Sequence, residues 1–149
     1  IHIENVWKPQ WVWGSIYTNT AQDTDFAESG VGVTVVRSAD LETGENIGLT
    51  VGAGGVITTL YSGFYYLYAN FSFSGASDDL FVMNFRINGA NINNGELSWK
   101  MFNGEYRQVS MNTLYQINGN ETIDIFIANS TDTSSISLQK FNQTVIKLY

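Results

Sequence analysis

Short stretches of alternating hydrophobic and polar residues cover most of this chain, and the most informative one spans residues 63–73. In a β-strand, successive side chains point to opposite faces. One face of a strand here would carry Tyr65, Leu67, Ala69, Phe71 and Phe73. The other face would carry Phe64, Tyr66, Tyr68, Asn70 and Ser72. Because this second face also holds three aromatic residues, we predict that the core covers one face and another copy of the chain covers the other.

Similar strands are predicted on both sides of this stretch, separated by residues that favour turns. They cover residues 11–17, 31–36, 47–51, 56–60, 80–87, 97–102, 106–117, 122–128, 135–138 and 144–149. Polar loops are predicted at 18–29, 38–46, 75–79 and 90–95. Asn88-Gly89 and Asn103-Gly104 are pairs that close tight hairpins. No stretch of ten residues has a helical period, so the pattern predicts an antiparallel β-sandwich or barrel.

Composition narrows the classes of partner. The chain has 149 residues, no cysteine, 14% charged residues and a net charge of −7. Its seven basic residues are scattered, whereas binding to a phosphate backbone needs clustered Lys and Arg, so no nucleic-acid partner is expected. No apolar run reaches the roughly 20 residues that span a bilayer, so no membrane insertion is expected. Without cysteine, no disulfide supports the fold.

The length fits one domain over residues 1–149. The chain starts at Ile1 without Met. Two interpretations stay open at this point. Either the chain is processed before Ile1, or it is the C-terminal head of a longer chain with residues 1–10 as its lead-in.

Several segments together resemble the tumour-necrosis-factor and complement-q jelly-roll superfamily. Residues 55–67 contain a Gly-started strand that leads into a Gly-x-Tyr-x-Leu strand beginning at Gly63. The segment Arg86-Ile87-Asn88-Gly89 is similar to a hairpin of that superfamily, and residues 115–123 are similar to its Gly-Asp segment. An apolar strand over 145–149 ends the chain in the same way. Ser62 stands where the superfamily usually has proline, and Asn120 stands where Asp is common.

The resemblance implies an all-β, ten-stranded, two-sheet jelly roll that forms a compact threefold trimer. Matched onto this chain, it implies that Tyr66, Tyr68 and Asn70 face the trimer axis, and Phe64 lies on the same predicted strand face. Trp11 and Trp13 share one face of another predicted strand, and we expect them in the sheet or at the trimer base. A monomeric sandwich with an aromatic-rich surface is the alternative.

The sequence offers little for catalysis or metal binding. His2 is the only histidine, and there is no cysteine and no Gly-x-Ser-x-Gly motif, so neither catalytic residues nor a cofactor are predicted. Asp23, Asp25 and Glu28 could supply oxygen ligands to calcium, but a solvated acidic loop is the favoured interpretation. A glycosidase would need a pair of carboxylates, and the candidates near loops are Asp78, Asp79, Glu96 and Glu105.

These observations predict a non-enzymatic, trimeric structural or adhesive head. By analogy we place it on a virion surface, as a phage tail fibre, head fibre or capsid decoration, in contact with other virion proteins. Host glycan or receptor would bind at loop residues, namely Asp23, Asp25, Asp78, Asp79, Asn91 and Asn93. A secreted, extracellular ligand of the tumour-necrosis-factor or complement type, a carbohydrate-binding module and a carbohydrate-active enzyme are the alternatives.

Overall fold

The computed structural model describes residues 11–18, 21–34, 42–75, 78–102 and 105–149. Within these residues, twelve strands form two antiparallel sheets around a shared apolar core. The strands are β1 (Trp13–Thr18), β2 (Gln22–Thr24), β3 (Val33–Thr34), β4 (Glu42–Ile47), β5 (Leu49–Val51), β6 (Ile57–Thr59), β7 (Gly63–Ser74), β8 (Leu80–Ile87), β9 (Ala90–Lys100), β10 (Arg107–Ile117), β11 (Thr122–Asn129) and β12 (Ile136–Lys147). The predicted all-β, two-sheet class is therefore confirmed.

The first sheet has the strand order β10-β7-β12-β1-β4, and β2 also pairs with β12. The second sheet has the order β5-β6-β11-β8-β9, and β3 also pairs with β11. Among the described residues, no helix has the length and apolar character needed to cross a bilayer.

The strand pattern differs from the predicted one in several places. The structure has twelve strands in the described residues, where the resemblance implied ten. Three predicted loops contain strand residues: β2 lies within 18–29, β4 begins at Glu42 in the predicted loop 38–46, and β9 already begins at Ala90. The two predicted strands at the C-terminus are one continuous strand, β12. In each case the strand has many polar residues, because one of its faces is exposed to solvent. This composition is also that of a loop, so the sequence alone predicted a loop or a break.

Some predicted features fall partly or wholly outside the described residues. Only residues 33–34 of the predicted strand 31–36 are described as a strand, and residues 35–36 lie outside the described ranges. His2 and the Asn103-Gly104 pair also lie outside them.

The hairpin at Asn88-Gly89 is confirmed, because it joins β8 to β9 with positive φ values of 50° and 78° at its two residues. Such values are those of a type I′ turn.

β7 is the most constrained strand of the first sheet. It pairs with β10 from Gly63 to Phe73 and with β12 on its other edge. Its inward side chains are all almost completely buried, as the alternation predicted: Tyr65, Leu67, Ala69, Phe71 and Phe73. Phe71 and Phe73 contact Phe141 and Trp99 at ring-centroid distances of 5.0 and 5.4 Å. These contacts join β7 to β12 and to the opposite sheet.

The Tyr65 side chain places one polar group at this buried face. Its hydroxyl donates a hydrogen bond of 2.6 Å to the carbonyl oxygen of Tyr61. Burial raises the pKa of the Tyr65 phenol to about 12, because the buried site disfavours the charged phenolate.

Gly63 explains why the Gly-x-Tyr motif needs its glycine. The backbone N–H of Phe64 donates to the Tyr149 carbonyl oxygen, and the N–H of Leu148 donates to the Phe64 carbonyl oxygen, both at 2.8 Å. A Cβ added at Gly63 would lie 2.6 Å from the Tyr149 carbonyl oxygen. The chain terminus can therefore lie against the start of β7 only if this position lacks a side chain.

Gly63→Ala should destabilise the fold by about 1–3 kcal/mol, the usual cost of an overpacked site. Urea unfolding followed by tryptophan fluorescence measures this loss. Gly52→Ala is the matched control, because a Cβ there would meet only the Val56 carbonyl oxygen at 3.6 Å, an ordinary contact. Equal stabilities for the two variants would contradict this explanation of the glycine.

Tyr65 should make stability fall at alkaline pH. Below about pH 10 the phenol is protonated in both folded and unfolded states. Between about pH 10 and 12 the unfolded chain loses this proton first, so the folded state loses about 1.4 kcal/mol of stability per pH unit from this group. Urea unfolding at about pH 9 and about pH 11 should show a smaller loss for Tyr65→Phe than for the unmodified chain. The same loss in both proteins would contradict the assignment.

Candidate functional site

The outward face of β7 carries the aromatic set that the alternation predicted. Phe64, Tyr66 and Tyr68 are half-buried in the isolated chain, and Asn70 is exposed. The rings of Tyr66 and Tyr68 stack at a centroid distance of 6.4 Å, and Phe64 stacks on Tyr149 at 5.5 Å. These two stacked pairs form an aromatic strip along the outward face of β7.

Neighbouring strands extend this strip into an apolar row across the whole first sheet. Tyr66 lies opposite Leu114 of β10 and Ile146 of β12, and the row continues from Ile146 to Trp13 of β1 and from Trp13 to Ile47 of β4. We call these five residues the apolar row. Its four members other than Tyr66 are between 37% and 47% exposed. At a spacing of about 4.8 Å between strands, the row is roughly 19 Å wide.

The same face becomes polar at its other end. One cross-strand line contains Ser110, Asn70, Asn142 and Tyr17. The next line contains Gln108, Ser72 and Lys140. Between these lines and the apolar row, Tyr68 lies opposite Asn112 and Thr144, and Thr144 lies opposite Ser15. The face is therefore apolar at the row and largely polar beyond it, and we call the part that begins at Asn70 the polar half.

The predicted loop residues lie at two different ends of the sandwich. Asp78 precedes β8, and Asp23 lies opposite Ser137 near the end of β7. Asn91 lies opposite Arg86, at the far end of β8, and Asn93 follows it on β9. Eight strand residues separate the two ends by roughly 25 Å. Asn91 and Asn93 belong to a strand, so the prediction that they lie in a loop is wrong.

Asp79 differs from the other predicted ligand-binding residues. It is only 4% exposed, and it accepts a hydrogen bond of 2.8 Å from Nδ2 of the buried Asn129. The backbone N–H of Met101 also donates to its carbonyl oxygen at 2.9 Å. Its side chain is therefore used inside the fold, and the prediction that it presents a surface contact is wrong.

Asp23, Asp25, Asp78 and Glu28 are exposed, and their role in ligand binding stays a prediction. The possible calcium ligands Asp23, Asp25 and Glu28 are not drawn together. Among the described residues, no group of three or more His, Cys, Asp or Glu side chains could hold a metal ion.

Charged groups elsewhere are engaged in structural contacts. On the second sheet, the Arg86 guanidinium pairs with the Asp124 carboxylate and lies over the ring of Phe126. Glu96 accepts a hydrogen bond of 3.0 Å from Asn84. In the turn before β12, the Ser134 backbone N–H donates to Asp132 at 2.7 Å and lowers the pKa of that carboxyl. These charged side chains therefore contact other parts of the fold, and none of them belongs to the apolar row.

Sequence reasoning correctly placed Phe64, Tyr66, Tyr68 and Asn70 on the outward face of one strand but missed the residues beside them on other strands. Leu114, Ile146 and Ile47 each occupy an outward position of a different strand. The only local signal is an apolar residue at a position where alternation predicts a polar one. Their alignment with Tyr66 depends on strand order and register, which single strands do not specify.

Comparison with known proteins identifies the fold. The structure of Eiger TNF from S. frugiperda matches with a TM-score of 0.62 and 12% identity, over 94% of this chain and 94% of that chain. Murine APRIL at pH 5.0 matches with a TM-score of 0.60 and 14% identity, over 91% of this chain and 99% of that chain. The globular domain of zebrafish complement 1qA matches with a TM-score of 0.59 and 13% identity, over 93% and 98%.

No protein-family model matches the sequence, and a search of curated proteins found no match. At these identities the likeness concerns the fold alone. The two antiparallel sheets are similar to the jelly rolls of tumour-necrosis-factor and complement 1q domains, as the sequence resemblance implied.

Proposed function

We propose that this chain is a non-enzymatic head domain that assembles as a homotrimer through the apolar row and the aromatic strip on the outward face of its first sheet. In this proposal it serves as a structural or adhesive module on a virion surface. The apolar row carries the proposal, because an exposed apolar surface that crosses a whole sheet is typical of an interaction site.

Burial of the row would supply much of the association energy. Covering a fully exposed Leu, Ile or aromatic side chain contributes about 1.5–3 kcal/mol, and four row members expose more than a third of their surface. No member of the row carries a charge, so burying it requires no desolvation of an ion. The Tyr66 and Tyr68 hydroxyls can find hydrogen-bond partners across the interface, as buried tyrosines usually do.

Two arguments favour another copy of the chain as the partner. The sequence resemblance to the tumour-necrosis-factor and complement-q superfamily implies threefold assembly, with Tyr66, Tyr68 and Asn70 towards the axis. The likeness of the fold to solved domains of that type supports using the resemblance in this way. Phe64 belongs to the same interface because it lies on the same strand face and stacks on Tyr149.

The placement on a virion rests on analogy. Cysteine-free β domains rich in Asn, Gly and Thr are similar to heads displayed on phage particles, where they can contact host glycan or receptor and other virion proteins. The fold likeness itself favours a second candidate, an extracellular ligand of the tumour-necrosis-factor or complement type. Two observations distinguish the virion head from the extracellular ligand. One is the identity of the neighbouring genes, and the other is whether the purified domain binds bacterial or animal cells.

Leu114→Glu and Tyr66→Glu should each convert the trimer to monomer, because either change places a charge in the buried row. Light scattering at micromolar concentration should give three times the 16.6 kDa of one chain for the unmodified protein and a single chain mass for the variants. Leu80→Glu on the second sheet is the matched control, since Leu80 is 43% exposed and Leu114 is 46% exposed.

Circular dichroism melts of all four proteins test whether the variants remain folded. A monomeric unmodified chain, or a Leu80→Glu variant that dissociates as readily as Leu114→Glu, would contradict the proposed interface.

A further inference from the structure

A pocket opens on the polar half of the first sheet, beyond Asn70. Its volume is about 310 Å³, at the lower end of the range for small-molecule sites. It is lined by Tyr17, Asn70, Phe71, Ser72, Gln108, Lys140, Phe141 and Asn142. Phe71 and Phe141 are core residues, so the pocket has a rigid apolar floor beneath polar side chains.

A β-bulge places the only charged group of this pocket. Leu138 lies opposite Phe73 and Lys140 lies opposite Ser72, so Gln139 is an extra residue between two consecutive pairs. The bulge is held by Gln139, whose Nε2 donates to the Ser74 and Ser137 hydroxyls at 3.0 and 2.9 Å. Without the extra residue, Lys140 would point into the core. The bulge therefore turns Lys140 to the face that carries Asn70 and Asn142.

Four polar side chains of the lining are not used by the described part of the fold. Among the described residues, the side chains of Asn70, Ser72, Gln108 and Lys140 have no hydrogen bond or ion pair with the rest of the chain. Asn142 uses only its Oδ1, which accepts from the Thr144 hydroxyl at 3.3 Å. Several donors and acceptors on one rigid surface are thus available to a ligand.

The chemistry of the lining defines the class of ligand. Three primary amides and a hydroxyl both donate and accept hydrogen bonds, which matches the hydroxyl groups of a sugar. Lys140 adds one positive charge with no acidic side chain among the lining residues, which matches one carboxylate. A phosphate chain would need several clustered cations.

We propose that this pocket binds a saccharide unit that carries a carboxylate, such as a uronic acid. Lys140 contacts the carboxylate, and the amides of Gln108 and Asn142 contact the ring hydroxyls. Tyr17 also borders the pocket. This proposal does not depend on the trimer, because Asn70 lies at the border between the pocket and the proposed interface, and Lys140, Gln108 and Asn142 lie outside that interface.

The test is a chemical-shift titration of the ¹⁵N-labelled protein at physiological salt. Three probes are compared: a disaccharide ending in glucuronic acid, its glucose counterpart, and a short peptide containing glutamate. The acidic disaccharide should shift the backbone amides of residues 70–72, 108 and 140–142. The glucose counterpart should bind about tenfold more weakly, since it lacks the charge-assisted hydrogen bond. The peptide should cause no shifts at these residues.

Two lysine variants separate the pocket from general charge effects. Lys140→Met keeps the aliphatic stem and should weaken the acidic disaccharide about tenfold while leaving the glucose counterpart unchanged. Lys100→Met is the matched control, because Lys100 is an exposed lysine on β9 of the other sheet, and it should change neither affinity. The spectra themselves report whether each variant is folded.

The proposal is overturned if no saccharide shifts these amides at about 10 mM, a concentration well above a millimolar dissociation constant. Equal affinity of Lys140→Met and the unmodified protein for the acidic disaccharide would also overturn it, as would a peptide that binds as tightly. The particle mass is measured on the same samples, so a failure of trimer assembly and a failure of saccharide binding are separate results.

Discussion

The structure depends on β7, a strand that is paired along both edges and has a use for both faces. Pairing with β10 and β12 satisfies its backbone groups over nearly its full length, so it cannot move without disrupting three strands. Its inward face supplies five of the most buried side chains of the core. Its outward face supplies the aromatic strip around which the apolar row is aligned. The same backbone hydrogen bonds therefore hold both the core side chains and the outward aromatic side chains of β7 in position.

Register is the physical quantity that decides which side chains this ladder aligns on its outward face. A shift of one residue between two strands would exchange their inward and outward side chains. The register observed here aligns five apolar residues across the sheet at one end and a set of amide and hydroxyl groups at the other. The bulge at Gln139 is the one place in β12 where this alternation is reset. It allows Leu138 to face the core while Lys140, two residues later, faces solvent.

The division of the face into an apolar row and a polar half would suit the proposed assembly and the proposed binding of a saccharide. An apolar surface gains free energy when water is excluded, whereas amides and a single lysine gain most from a ligand of defined shape. The charged pair Arg86–Asp124 lies on the second sheet.

The sequence by itself determined the all-β class, the two faces of β7, the Asn88-Gly89 hairpin and the outward position of Phe64, Tyr66, Tyr68 and Asn70. These follow from alternation and turn chemistry, which act over a few neighbouring residues. Only the tertiary structure decided that Leu114, Ile146 and Ile47 continue the row, that Asp79 is buried against Asn129, and that Lys140 joins Gln108 and Asn142 around a pocket. Those relations join strands far apart in the chain. They depend on strand order, register and one bulge, which arise from the free energy of the whole sheet and leave little trace in any single segment.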